Sequence, residues 1–81
     1  MDLAIAFGRV IRRLRLEAKL SQAELGLAAG LSRSCVSTVE LGRRQPTITV
    51  LLKIASAVDR PASELMELVE SELRTDSKCS H

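Results

Sequence analysis

LSQAELGLAAGLSRSCVSTVELGRRQP, residues 20–46, reads as two short capped helices around a glycine turn, followed by a doubly basic loop. Ser21 can accept the first free amide protons of a helix, and Glu24, three residues on, can reach back to the amide of Ser21. Leu25, Ala28 and Ala29 give that helix a narrow apolar face. Gly30 follows where a left-handed residue commonly ends a helix. Leu31 is placed to plug a core, and Ser32 is a second N-cap. Arg33 to Leu41 forms the next helix, with Val36 and Val39 turned inward and Gly42 ending it. The β-branched Val36, Thr38 and Val39 lower the intrinsic helix propensity, so this helix depends on tertiary packing.

Two short helices about a tight turn form a helix-turn-helix, whose second helix is built to enter the DNA major groove. An ordinary helical hairpin of a small bundle would carry the same caps. The residues between the caps favour DNA. Arg33, Ser34, Ser37 and Thr38 share a face opposite Val36 and Val39. An arginine there can bond a guanine bidentately, while the hydroxyls can pair with several bases or with phosphate. Phosphate contacts fall to Gln22, at a helix N-terminus whose dipole favours an anion. Arg43 and Arg44 join it from the loop, with Arg12 and Arg13 as further candidates upstream.

The segment resembles the Cro/C1-type, or Xre, helix-turn-helix family. The residues that carry the likeness are Ser21-Gln22, Glu24-Leu25, Ala29-Gly30-Leu31-Ser32, Val36-Ser37, Glu40, Gly42-Arg43-Arg44 and Pro46. Downstream, Leu51-Leu52-Lys53-Ile54-Ala55 fits the family's fourth helix, so the likeness covers approximately residues 7–70. It implies an all-α, five-helix fold like that of the lambda repressor. It places Arg33, Ser34 and Ser37 at the usual base-reading positions, with Thr38 as a fourth. It also implies a structural ion pair between Arg15 and Glu40, tying helix 1 to the end of helix 3. Two positions depart from the family pattern: Gly26 replaces a usual alanine, and Cys35 stands where a larger or aromatic residue is frequent.

Length and composition agree with one small helical domain. Eighty-one residues with a single aromatic, Phe7, must build their core from Leu, Ile, Val and Ala. A chain of this size is marginal alone and gains from oligomerisation. The prolines, at 46 and 61, fall between expected helices, and nothing alternates with period two. The formal charge of +2 hides an asymmetry: residues 1–60 hold ten basic and five acidic residues, residues 61–81 two and five. A basic body with an acidic end suggests one surface facing a polyanion and another turned elsewhere. No stretch approaches a membrane span or a signal-peptide core, so a cytoplasmic location is expected. Cys35 and Cys79 do not make a secreted disulfide framework.

Helix 1 is expected over Leu3 to Ala18, with Phe7, Val10, Ile11, Leu14 and Ala18 on one stripe. Thr47 caps helix 4, which Ile48, Leu51, Leu52, Ala55 and Val58 make amphipathic. Proline suits the first turn of a new helix, so helix 5 is expected over Pro61 to Leu73. Its Leu65, Leu68, Val69 and Leu73 form a stripe widened by Met66 and flanked by glutamates. A four-helix core can absorb only part of that stripe. The surplus reads as a dimer interface formed by Leu65, Met66, Leu68, Val69 and Leu73. Residues 1–73 are thus one domain with a dimerising fifth helix, and residues 74–81 a disordered tail.

The function these residues point to is a sequence-specific DNA-binding transcriptional regulator, a homodimer on a pseudo-palindromic operator in double-stranded DNA. The alternative is an antitoxin-type protein that covers a partner toxin and regulates its own operon. An enzyme is not expected: the one histidine is the last residue, no glycine-rich phosphate loop is present, and no carboxylate pair sits in an apolar setting. No cofactor or metal is expected, since Cys35, Cys79 and His81 lack the ligand pairing of a zinc site. A redox-sensing role for Cys35 ranks below that of a small, half-buried filler.

Overall fold

The computed structural model describes residues 2–79, with side chains through Arg74. Five helices follow one another: α1 (Leu3–Glu17), α2 (Gln22–Ala29), α3 (Arg33–Glu40), α4 (Ile48–Ala57) and α5 (Ala62–Cys79). Among the described residues there is no strand.

Local capping fixes the start of four of these helices. Asp2 caps α1 by accepting from the Ala4 amide at 3.3 Å. The Ser21 hydroxyl accepts from the Glu24 amide at 3.0 Å. The Glu24 carboxylate in turn accepts from the Ser21 amide at 2.8 Å, completing a reciprocal box. Ser32 accepts from Cys35 at 3.0 Å, and Thr47 from Val50 at 3.1 Å. Pro61 lies just before α5 and gives it its first carbonyl, which accepts from Glu64 and Leu65.

α1 to α4 all end the same way. A left-handed residue donates to a carbonyl three residues back, and the next amide to one five residues back. Gly30, with φ 71°, serves this purpose in the turn between α2 and α3, where L side chains are disfavoured. At α1 and α4 the left-handed residue is not glycine: Lys19 has φ 60° and Asp59 φ 57°.

The core lies between α1, α3, α4 and α5 and is closed by α2. Ala6, Phe7, Val10, Ile11 and Leu14 from α1 meet Leu25, Val36, Val39, Leu51, Ile54, Val58, Leu65 and Val69. α5 packs along α1 and against α4, while α3 is held by both α1 and α2. Leu31 plugs the core edge from the turn, half-buried. The crossing of α1 over α3 is close enough to require a missing side chain. A Cβ on Gly8 would stand 2.5 Å from the Glu40 carbonyl oxygen and 2.7 Å from that of Val39.

Several sequence expectations are corrected here. α1 ends one residue earlier than expected, and Ala18, its cap, is exposed, as is Ala28 on α2. On α4 the buried stripe is Leu51, Ile54, Ala55 and Val58, leaving Ile48 and Leu52 exposed. α4 has apolar residues around most of its circumference, so its pattern admits either face; contact with α2 and α5 selects this one. α5 runs past Leu73 to Cys79, because no glycine or proline interrupts residues 74–79. Of the tail expected to be disordered, residues 80–81 lie outside the described residues. The side chains of Cys79 and His81, read as non-ligands, lie outside them as well.

Candidate nucleic-acid interface

α3 is anchored to the body by its inner face and by its last residue. Val36 and Val39 are buried, which turns Arg33 and Ser34 to solvent and leaves Ser37 and Thr38 half-exposed. At the end of α3, Glu40 accepts from Arg15 twice, from Nε at 2.6 Å and from Nη2 at 3.1 Å. Arg15 also donates from Nη1 to the Leu20 carbonyl at 2.9 Å. Only 11% of the Arg15 side chain and 4% of the Glu40 side chain are exposed. The hydrogen bond to Glu40 raises the Arg15 pKa above its ordinary value, outweighing desolvation, which acts the other way. Arg15 and Glu40 together fix the angle at which α3 stands out from α1.

The Glu40 carboxylate has a third partner. Its Oε1 accepts from the Gln22 side-chain amide at 3.2 Å. Gln22, read from the sequence as a phosphate contact, is therefore held at the foot of α3. One of its amide protons is committed to Glu40, and the N-terminal end of α2 lies beside it.

Two hollows flank α3. The larger, about 550 Å³, is lined by Gln22, Arg33, Ser34, Ser37, Thr38, Leu41 and Arg43. The other, about 240 Å³, is lined by Ser32, Ser34, Cys35, Thr38, Val39 and Arg44. All four residues assigned to base reading border the larger one. Arg43 and Arg44, adjacent in sequence, take opposite sides of the helix. Arg12 borders a third hollow with Gln22, Ser37 and Leu41, so α1 contributes a cation to the same surface. Cys35 is half-buried and free, beside Arg44, in the wall of the smaller hollow.

The arginines of residues 1–60 separate into two groups. Arg9 and Arg13 reach Glu72 of α5, Arg15 pairs with Glu40, and Arg60 pairs with Glu17 and Glu64. Among the described residues no carboxylate pairs with Arg12, Arg33, Arg43 or Arg44, and all four border the hollows around α3. Arg13 is thereby removed from the phosphate set: Glu72, fifty-nine residues away in sequence, holds it on the α5 side of α1. No local sequence signal marks that pairing, because it depends on how α5 lies along α1.

The expected interface residues on α5 also divide. Leu65 and Val69 are fully buried in the chain's own core and are unavailable to a partner. Leu68 and Leu73 are half-buried against that core, and Met66 is 39% exposed. α5 has α1 along its length, which absorbs more of the stripe than four helices were expected to cover. Larger apolar exposure lies outside α5: Leu27 on α2 is 85% exposed, and on α4 Ile48 (73%) and Leu52 (53%) form an adjacent pair one helical turn apart. Sequence reasoning also passed over Leu41, which lies seven residues after Ser34 and continues its stripe.

A short helix displayed on a three-way anchor, with hydroxyls and arginines free of carboxylate partners around it, matches the arrangement of a helix-turn-helix protein. A helix-turn-helix family model matches residues 11–65. The chain belongs to the Cro/C1-type helix-turn-helix family. It is 36% identical over 66 residues to the uncharacterized HTH-type transcriptional regulator y4dJ of Sinorhizobium fredii, covering 82% of this chain and 86% of that one. It is 33% identical over 72 residues to the control protein C.MunI of Mycoplasma, covering 88% and 97%. Among solved structures, the restriction-modification controller protein C.AhdI of Aeromonas hydrophila superposes with a TM-score of 0.74 at 40% identity. That match covers 76% of this chain and 94% of the controller. No helix among the described residues is long and apolar enough to cross a membrane.

Proposed function

We propose that this protein is a sequence-specific DNA-binding transcriptional regulator of the controller type, acting as a homodimer on a pseudo-palindromic operator. One observation carries the reading of the binding surface. Of the arginines in residues 1–60, the four without a carboxylate partner among the described residues all gather around α3, while the others pair with carboxylates within the fold. Unpaired cations around a helix of hydroxyls are what a groove walled by phosphates requires. In this reading Arg33 reads a base edge, Ser34, Ser37 and Thr38 add shorter contacts, and Gln22, Arg12, Arg43 and Arg44 hold phosphates on both flanks. The activity is binding, with no chemical step.

The homodimer is inferred from one recognition helix per chain together with the exposed Ile48 and Leu52 pair and Met66. A repressor-like or controller-like role is favoured over covering a toxin, because the named relatives are an HTH-type transcriptional regulator, a control protein and a restriction-modification controller protein. Selection of random-sequence DNA with the purified protein, followed by footprinting, tests the reading. The expected product is a pseudo-palindrome whose half-sites are about one DNA turn apart, ~34 Å. Enrichment of no sequence would contradict a sequence-specific regulator. One asymmetric site bound by a single chain would contradict the homodimer.

A further inference from the structure

We propose that Leu41 is a specificity-determining residue whose side chain meets the C5-methyl group of a thymine in the major groove. The inference rests on the reading of the α3 surface given above. Leu41 closes α3 as its C-terminal cap residue, with φ −77° and ψ −4°. It continues the outward stripe of Ser34, Ser37 and Thr38, at intervals of seven, four and three residues. It borders two adjoining hollows, one shared with Arg33, Thr38 and Arg43 and the other with Arg12. In each hollow it is the one lining side chain made only of carbon and hydrogen. Even so, 60% of it is exposed.

Its neighbours decide what covers it. An apolar protein partner would bury Leu41 together with unpaired guanidinium groups and hydroxyls, whose desolvation is costly. Duplex DNA gives those same neighbours phosphates and base edges. Within the major groove the distinctive apolar feature is the thymine methyl group, and an aliphatic side chain recognises it by burying it. Arginines and hydroxyls can satisfy themselves on either strand's phosphates, whereas an exposed leucine among them gains only where a methyl is offered. Leu41 thereby supplies base information that the promiscuous hydroxyls of Ser37 and Thr38 do not.

The test uses the selected operator with each thymine replaced in turn by deoxyuridine, which deletes the methyl alone. For the unaltered protein, one symmetry-related position should lose about three- to fivefold in affinity, the worth of burying one methyl group. Leu41→Ala should make that position indifferent to the replacement while leaving other positions as they were. Leu41→Met, which keeps an apolar side chain, should restore the sensitivity. Helical circular dichroism confirms that each variant is folded. An unchanged deoxyuridine profile in folded Leu41→Ala would overturn the assignment of Leu41 while leaving the regulator reading intact. So would the absence of any sensitive position in the unaltered protein. Failure to select any sequence would overturn both.

Discussion

Arg15 on α1 and Glu40 on α3 are joined by two hydrogen bonds, of 2.6 and 3.1 Å, in a setting almost closed to solvent. The pair joins two helices that also touch through Gly8, so α1 holds α3 by charge at one point and by close backbone approach at another. Glu40 extends the link to Gln22, which brings the start of α2 to the same anchor. The orientation of α3 is therefore set chiefly by Arg15, Glu40 and Gly8, with Gln22 linking this anchor to the outer surface.

Glu40→Ala removes the acceptor and leaves the Arg15 charge in a poorly hydrated place. The expected loss is about 3–5 kcal/mol, as for breaking other buried pairs. Arg15→Met combined with Glu40→Leu should cost markedly less than either single change suggests, because no unpaired charge remains. Urea unfolding of the three variants measures the coupling directly. Folding raises the Arg15 pKa, so this contribution is complete below the ordinary arginine value and is lost only as pH rises beyond it. Raising the pH across the neutral range should leave the Arg15 contribution to stability unchanged.

Gly8→Ala places a methyl group 2.5 Å from the Glu40 carbonyl oxygen. Alanine favours a helix over glycine by about 1 kcal/mol, but backbone cannot yield as a flexible side chain can. The clash should prevail, with a net destabilisation of about 1–3 kcal/mol. Thermal melting would register this as a fall of about 4–8 °C for each kcal/mol. An unchanged or raised melting temperature would mean that α1 and α3 can separate freely.

Lys19 and Asp59 occupy the left-handed region at the ends of α1 and α4. An L-residue pays about 1–2 kcal/mol there, less for aspartate, and glycine returns part of that gain through its larger unfolded-state entropy. Lys19→Gly should stabilise the protein by roughly 0.5–1 kcal/mol, and Asp59→Gly by less. Equilibrium denaturation ranks the two; destabilisation by Lys19→Gly would contradict the assignment of strain to that turn.

Much of the fold was legible because capping is local. Ser21 with Glu24, Ser32 and Thr47 each announce a helix start within four residues, and each makes the hydrogen bond its position implies. Gly30 was readable for the same reason. What escaped depends on residues far apart in the chain. Nothing near Arg13 indicates that Glu72 will occupy it, and nothing near Leu65 and Val69 indicates that α1 will cover them. Ile48 and Leu52 fall at helical spacing with Leu51 and Ala55, so periodicity alone cannot divide them between core and surface. Lys19 and Asp59 carry no glycine signal for the left-handed turns they make.

The exposed pair on α4 leads to a prediction about association. Ile48→Glu with Leu52→Glu should leave the fold intact, since neither side chain belongs to the core. It should yield a monomer with strongly reduced operator affinity, because two chains must then meet on DNA without prior association. Sedimentation together with circular dichroism separates the outcomes. A helical dimer would move the interface elsewhere, with Met66 and the half-buried Leu68 and Leu73 of α5, or the exposed Leu16 and Leu27, among the other apolar candidates.

The comparison of Arg33→Ala with Arg43→Ala on DNA, by affinity across base substitutions and across salt concentration, tests the assignment of roles most directly. Arg33 extends from the first turn of α3, whereas Arg43 stands on the loop at the edge of the same hollow. Arg33→Ala should lose roughly 1–3 kcal/mol on the operator and relax preference at one base position. Arg43→Ala should weaken specific and non-specific DNA alike and flatten the salt dependence by about one unit of slope. A change of base preference in Arg43→Ala, with none in Arg33→Ala, would contradict the account.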